Sequence, residues 1–168
     1  LNADQILVLD RGEIVARGDL LMSGYLGMPE ETEAVLSDGW LRTGDVGHLD
    51  DQGYLFIKGR SKDVVISGGF NVYPGDVEEA LSQHADVAES VVFGIPDAHW
   101  GERVEAAVEL RQGRQASAEE LRSHVRAKLG AVRTPKAIHI VEQLPRNTLG
   151  KVQKRQLRNE FIQKYSAP

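Results

Sequence analysis

Three short stretches of this 168-residue chain gather residue types that act on phosphates and sugars. The first is LPRNTLGKVQK, Leu144 to Lys154, where Lys151 follows Gly150 in a cluster of positive charge that contains no acid. A lysine ammonium is a compact charge on a long stem and can reach an anion from outside its pocket. The Gly-Lys pair is not a phosphate-cradling P-loop. Pro145 stands where that motif has its first glycine, and Val152 replaces the Ser or Thr that would hold magnesium. Lys151 is therefore either a solvated surface charge or a lysine aimed at a phosphate, while Lys154 and Arg155 read as a solvated helix start.

The second stretch is WLRTGD, Trp40 to Asp45. An aspartate after Thr-Gly can grip vicinal hydroxyls, as nucleotide-binding folds do with a ribose, although the same tripeptide also serves as a plain turn. The third is GRSKDVVISGGFNVYP, Gly59 to Pro74. It opens with Arg60 and Lys62 and carries the pair Gly68-Gly69, which would let backbone approach a ligand closely or would simply turn the chain.

Other chemistries are excluded or unsupported. The chain has no cysteine, so disulfides and thiolate sites are absent. Its five histidines, His48, His84, His99, His124 and His139, show no HxxxH or HxH spacing, and no protein metal site is expected. A net charge of -5 argues against a nucleic-acid binder. No apolar run approaches the ~18 residues a membrane span needs.

The elements that must position these stretches follow from periodicity and turn chemistry. QILVLD and EIVARG read as strands broken at Arg11-Gly12, and PEETEAVL as a helix entered at Pro29. WLRTGDVGHLDDQGYLFIKGR reads as two strands flanking the turn Asp50 to Gly53. After Arg60 the texture changes. KDVVISGG is a strand, YPGDVEEALSQH a helix from Pro74, and VAESVVFGIP and RVEAAVEL are strands. SAEELRSHVRAKLG is a helix with the capping box Ser117/Glu120, the stripe Leu121, Val125, Leu129 and the stop Gly130. KAIHIVE is a strand, and KRQLRNEFIQKY a helix burying Leu157 and Phe161. The expected fold class is α+β: a small mixed domain with a three-stranded sheet flanked by helices, preceded by a β-rich segment too poor in apolar surface to stand alone. The chain opens at Leu1 in strand-like sequence, and we read it as a fragment of a longer protein.

LRTGD, GRSKDVVISGGFNVYP with DVEEAL, and LPRNTLGKVQK together resemble the later signature motifs of the adenylate-forming enzymes, over nearly the whole chain. That superfamily includes acyl-CoA synthetases, peptide-synthetase adenylation domains and beetle-type luciferases. GEIVARGDLLMSGYLGMPEETEAVLSDGWLRTGD is similar to the family's segment leading to the ribose-binding aspartate. Within the superfamily the hinge and lysine motifs look most like malonyl-CoA synthetases and related fatty acyl-CoA ligases.

The resemblance implies that residues 1–58 are the β-rich end of a large N-terminal domain, 59–63 a hinge, and 64–168 a mobile C-terminal domain. It also implies an activity: ATP-dependent conversion of a small carboxylic acid to acyl-AMP, then acyl transfer to the CoA thiol, in the cytoplasm. Asp45 and Arg60 would bind the nucleotide. Lys62 would be the hinge and Lys151 the adenylation lysine, while Gly68, Gly69 and Trp100 would line the CoA path. Mg2+ would be held by ligands outside this segment. Lys62 favours CoA ligases over peptide-synthetase domains, whose hinge is usually Asp. Val132 and Arg133 depart from the aromatic-lysine pair usual before Pro135. An adenylation domain feeding a carrier protein and a non-catalytic binding module are the alternatives. ADQILVLDRGEIVARG echoes a strand pair of ABC-transporter ATPases, but no Walker A loop follows. The segment alone is expected to be inactive, because the phosphate loop, the adenine motif and the acyl pocket are not in it.

Overall fold

The computed structural model describes residues 5–9 and 12–165. It divides into two compact units, Leu1–Lys62 and Asp63–Pro168. In the first, β1 (Gln5–Val8) pairs antiparallel with β2 (Glu13–Arg17); Arg11 of the expected break between them lies outside the described residues. Helix α1 (Pro29–Val35) opens on its proline and places Glu30 and Glu31 in the first turn, where acids suit the helix N-terminus. The long strand β4 (Trp40–Leu49) is the spine. It pairs with β2 on one edge, and with β3 (Leu36–Ser37) and β5 (Leu55–Arg60) on the other. Among the described residues this unit buries only Ile14, Val15 and Val46 as apolar side chains, and it leaves Tyr25, Leu26, Tyr54, Phe56 and Ile57 exposed. That is too little burial to offset chain entropy.

The second unit is built on a five-stranded sheet, not the expected three. Its spine is the antiparallel pair β8 (Val87–Asp97) and β9 (Gly101–Leu110). On the other edge of β9 lie β10 (Ala137–Val141), parallel to it, and the hairpin of β6 (Val65–Ser67) and β7 (Phe70–Val72), joined through Ser67 and Gly101. All four strands read after Arg60 join this sheet, and the fifth, β7, escaped sequence reading because its three residues follow two glycines and carry too little periodicity. Helices α2 (Pro74–Ser82), α3 (Ala118–Leu129) and α4 (Lys154–Tyr165) cover the sheet.

Period-two alternation sorts the two faces. Val92, Val104, Ala106 and Val108 pack with Val77, Leu81, Leu121 and Val125 under α2 and α3. Val91, Phe93, Ile95 and Ala107 pack with Leu144 and Leu157 under α4. The capping box of α3 forms as the sequence implies: the Glu120 N–H donates to the Ser117 hydroxyl at 3.2 Å and the Ser117 N–H to the Glu120 carboxylate at 2.7 Å. Gly130, at φ +78°, ends the helix.

The α4 face also buries a charge. Glu105 is only 2% exposed; Arg103 Nε donates to it at 2.6 Å, and His139 Nε2 lies at 2.8 Å. Burial pushes the Glu105 carboxyl up, but the His139 and Arg103 hydrogen bonds together outweigh this and hold it below its ordinary value. The stabilisation is therefore present above the unfolded-state pKa and is lost as pH falls through the folded one. Glu105→Gln should destabilise the second unit by about 3 kcal/mol near neutral pH, since it removes the buried charge that Arg103 and His139 bond. In urea titrations the gap between wild type and variant should close as pH falls from about 5 to 3. A gap that stays constant with pH would show that the carboxylate charge is not what stabilises.

Candidate functional site

Asp45 and Arg60 face each other as register partners of β4 and β5, and Arg60 Nη1 donates to Asp45 Oδ1 at 3.0 Å. The Thr-Gly-Asp order has a local reason. The Thr43 hydroxyl donates to the Ile14 carbonyl at 2.8 Å and accepts the Asp45 N–H at 3.0 Å, which fixes the backbone that carries the carboxylate. Gly44 sits at φ +71°, and a Cβ there would approach Arg60 Nη2 to 3.1 Å. Only glycine takes that backbone and leaves the guanidinium its place over the chain. The result is a part-exposed carboxylate with one oxygen on a cation, able to accept from a pair of hydroxyls.

Lys62 occupies a single 3-10 turn, Ser61–Asp63, and the two units divide immediately after it. Asp45 and Arg60 belong to the first unit; Gly68, Gly69, Trp100 and Lys151 belong to the second.

Gly68 and Gly69 make the β6–β7 turn at φ +57° and +83°, a primed turn that matches the twist of a hairpin. Trp100 lies directly on Gly68. The Gly68 N–H donates to the Trp100 carbonyl at 2.9 Å, and a Cβ on Gly68 would come within 2.8 Å of the indole Cε3. Gly69 has open space beside it, so only its φ calls for glycine. Trp100 is fixed from behind as well: Asp97 Oδ1 accepts the N–H groups of Trp100 (3.0 Å) and His99 (2.9 Å). These two bonds hold the Asp97 carboxyl below its ordinary value. The Lys136 ammonium stands 4.1 Å from the Trp100 ring centroid, within cation–π range. Sequence reading missed Lys136; its only signal was a lysine directly after Pro135. The glycines, indole and ammonium form one part-exposed surface, apolar with a cation at its edge.

Lys151 sits on a closed loop. Arg146 and Val152 bridge as antiparallel partners, and the Gln153 N–H donates to the Pro145 carbonyl at 2.7 Å. Within the loop Asn147 bonds at both ends. Its N–H donates to the Lys151 carbonyl at 2.9 Å, and its side-chain oxygen accepts the N–H groups of Leu149 (3.0 Å) and Lys151 (2.9 Å). Gly150 completes the turn at φ +80°. The Lys151 side chain is exposed and makes no hydrogen bond or ion pair among the described residues. Its basic neighbours differ: Arg158 donates to the Gly94 carbonyl at 2.7 Å, and Lys154 pairs with Glu78 of α2 at 2.8 Å. Lys154 is thus part of the docking of α4 and not the solvated residue the sequence implied.

The Trp100 surface and the Lys151 loop lie at opposite ends of one hairpin. Trp100 is in the β8–β9 turn, beyond the partners Asp97 and Gly101, whereas the loop is anchored on the partners Glu89 and Glu109. Eight residues of strand separate these pairs, about 26 Å at ~3.3 Å per residue. Among the described residues no three His, Asp or Glu side chains gather to hold a metal, and no helix is long and apolar enough to cross a membrane.

Comparison with known proteins gives this arrangement a family. Residues 76–151 match the AMP-binding enzyme C-terminal domain. The chain is 46% identical over 151 residues to a long-chain-fatty-acid–CoA ligase of Bacillus subtilis, covering 90% of this chain and 27% of that protein. It superposes on ATP-bound MatB from Rhodopseudomonas palustris with a TM-score of 0.84 at 40% identity, covering 94% of this chain and 32% of that one. On apo MatB the score is 0.68 at the same identity and coverage, so that relative differs between its two forms over the aligned region. The chain spans less than a third of the length of these relatives. Residues 76–151 are thus an AMP-binding enzyme C-terminal domain, and the homologues of the chain are acyl-CoA ligases.

Proposed function

We propose that this chain is the C-terminal part of an ATP-dependent acyl-CoA synthetase, in which its second unit serves two half-reactions in turn from its two ends. The observation that carries this reading is the unpartnered Lys151 ammonium on a locked loop, about 26 Å of strand away from the Trp100 surface.

In the first half-reaction a carboxylate oxygen attacks the α-phosphorus of ATP and pyrophosphate leaves. The two reactants are both anions. Lys151 draws them together and stabilises the charge that grows on the α-phosphate, a positional and electrostatic contribution. Asp45 accepts the ribose hydroxyls, and Arg60 orients Asp45 while facing the ribose and phosphate. In the second half-reaction the CoA sulfur attacks the acyl carbonyl and AMP leaves with the bonding electrons. This step needs a thiol route in place of the lysine. Gly68 and Gly69, which keep side chains off the hairpin tip, and Trp100, which offers an apolar face, suit the pantetheine arm.

Lys62, at the division between the units, is the hinge about which one end of the second unit replaces the other. The difference between the two MatB structures supports motion of this kind. The exposed apolar side chains of the first unit support its packing on a larger N-terminal domain. Magnesium, expected in the intact enzyme, would be held by ligands outside this segment. The reaction is placed in the cytoplasm, where ATP and CoA are available.

Two outcomes check these roles in the full-length protein that carries this chain. Lys151→Ala should lower acyl-adenylate formation by about 10²–10³, measured as pyrophosphate release, and leave thioester formation from supplied acyl-adenylate within a few-fold of wild type. Equal loss in both halves would sink the assignment. Gly68→Ala should show the opposite pattern. Its Cβ must push Trp100 aside, so tryptophan emission should shift and thioester formation should fall about tenfold or more, with adenylation preserved; a misplacement of ~1 Å is enough for a loss of this order. An unshifted emission with normal thioester formation would remove Gly68 and Trp100 from the CoA path.

A further inference from the structure

The residue whose position the proposed chemistry leaves unexplained is Arg146. Its guanidinium is half-buried and touches three groups. Nη2 lies 2.5 Å from Glu89 of β8 and 3.4 Å from Glu109 of β9, and Nη1 donates to the Gly150 carbonyl at 3.3 Å. That carbonyl belongs to the peptide leading directly into Lys151. Glu109 also accepts the Leu144 N–H at 3.0 Å, which ties the loop's entry to the same carboxylate. The acids hold the Arg146 charge firmly, the Glu89 hydrogen bond most of all, and raise its pKa above the ordinary value.

The two glutamates are themselves the telling feature. Glu89 and Glu109 are direct cross-strand partners in the β8–β9 register. Like charges placed directly opposite in a sheet destabilise it, so the pair has no value to the hairpin without a cation between them. Arg146 is that cation. A planar guanidinium offers several donors in a fixed fork and can hold two carboxylates and a carbonyl at once, which a lysine ammonium does less well.

We propose that Arg146 is a positioning residue for Lys151, seated in a socket made by Glu89 and Glu109. The socket anchors the loop to the end of the β8–β9 hairpin, and Asn147 stiffens it from inside. The inference rests on the reading of Lys151 as the adenylation lysine, and it adds a requirement: the ammonium must be presented from a fixed backbone. Displacing a reacting group by ~1 Å costs on the order of 10² in rate, and a loop closed on itself but not tied to the sheet would allow such a shift.

The test uses Arg146→Ala, Arg146→Lys, the double variant Glu89→Gln/Glu109→Gln, and Lys151→Ala in the full-length protein. Adenylation is followed as carboxylate-dependent ATP–pyrophosphate exchange, with kcat and the KM for ATP measured separately. Thioester formation is followed from supplied acyl-adenylate, and amide hydrogen exchange is read at Leu149, Lys151 and along β8–β9. Arg146→Ala should lower the adenylation kcat about 10–100-fold, leave the KM for ATP and the thioester rate near wild type, and speed exchange at Leu149 and Lys151 about tenfold or more. Arg146→Lys should recover only part of the loss. The double glutamine variant removes the socket and the repulsion together, so β8–β9 exchange should stay slow while adenylation falls as in Arg146→Ala. Unchanged adenylation with unchanged loop exchange overturns the proposal. So does equal loss of both half-reactions with fast exchange throughout β8–β9, which marks general unfolding. If Lys151→Ala leaves adenylation intact, the reading of Lys151 fails instead, and the exchange at Leu149 and Lys151 still decides whether the socket holds the loop.

Discussion

The second unit depends on one long pairing, the β8–β9 hairpin, whose register runs from Val87 and Leu110 to Asp97 and Gly101. Its alternation decides which side chains meet α2 and α3 and which meet α4. Its two ends carry the Trp100 surface and the Lys151 loop. Because a strand is stiff and rises ~3.3 Å per residue, the pairing fixes how far apart those surfaces are, and the separation is a property of the fold.

Charge on the α4 face follows a consistent rule. Glu105 is matched by Arg103 and His139, Glu89 and Glu109 by Arg146, and Glu102 by the Ile66 N–H at 3.1 Å and Arg158 at 3.4 Å. On the α2 side, Glu78 accepts the Val92 N–H at 2.7 Å and pairs with Lys154. Buried or half-buried carboxylates of this kind stabilise only when both partners are present. Arg103 and Glu105 are neighbours within β9, but the pairs of Arg146, Lys154 and Arg158 join segments far apart in sequence and register α4 and its preceding loop on the sheet. Among the described residues the Lys151 ammonium makes no such pair, while its neighbours Arg146, Lys154 and Arg158 are committed to structure and Arg155 is exposed.

What the sequence made legible was local. The capping box of α3 is written in Ser117 and Glu120, and the entries of α1 and α2 in Pro29 and Pro74. The likeness of three motifs in order pointed to the AMP-binding enzyme C-terminal domain that residues 76–151 match, which position-by-position reading would not have done. Long-range matters stayed hidden. Arg146 meets Glu89 across 57 residues and Glu109 across 37, and no local pattern announces such partners. Lys154 looked solvated because its partner Glu78 lies on another helix. The fifth strand was missed because three residues after two glycines carry too little periodicity to register.

The glycines of the site show why types and spacing can be legible while their reasons are not. Gly44 admits Arg60 over the backbone, and Gly68 admits the Trp100 ring. Gly47, in the bulge of β4, admits the Phe56 carbonyl, which any Cβ there would overlap. Gly69 and Gly150 have open space and are required only by positive φ. A sequence shows five glycines in or beside three motifs and cannot separate close approach from backbone handedness. The distinction has a chemical consequence. At Gly44 and Gly68 a side chain would displace the group proposed to act, so these positions shape the sites directly, whereas Gly150 acts through the backbone that aims Lys151.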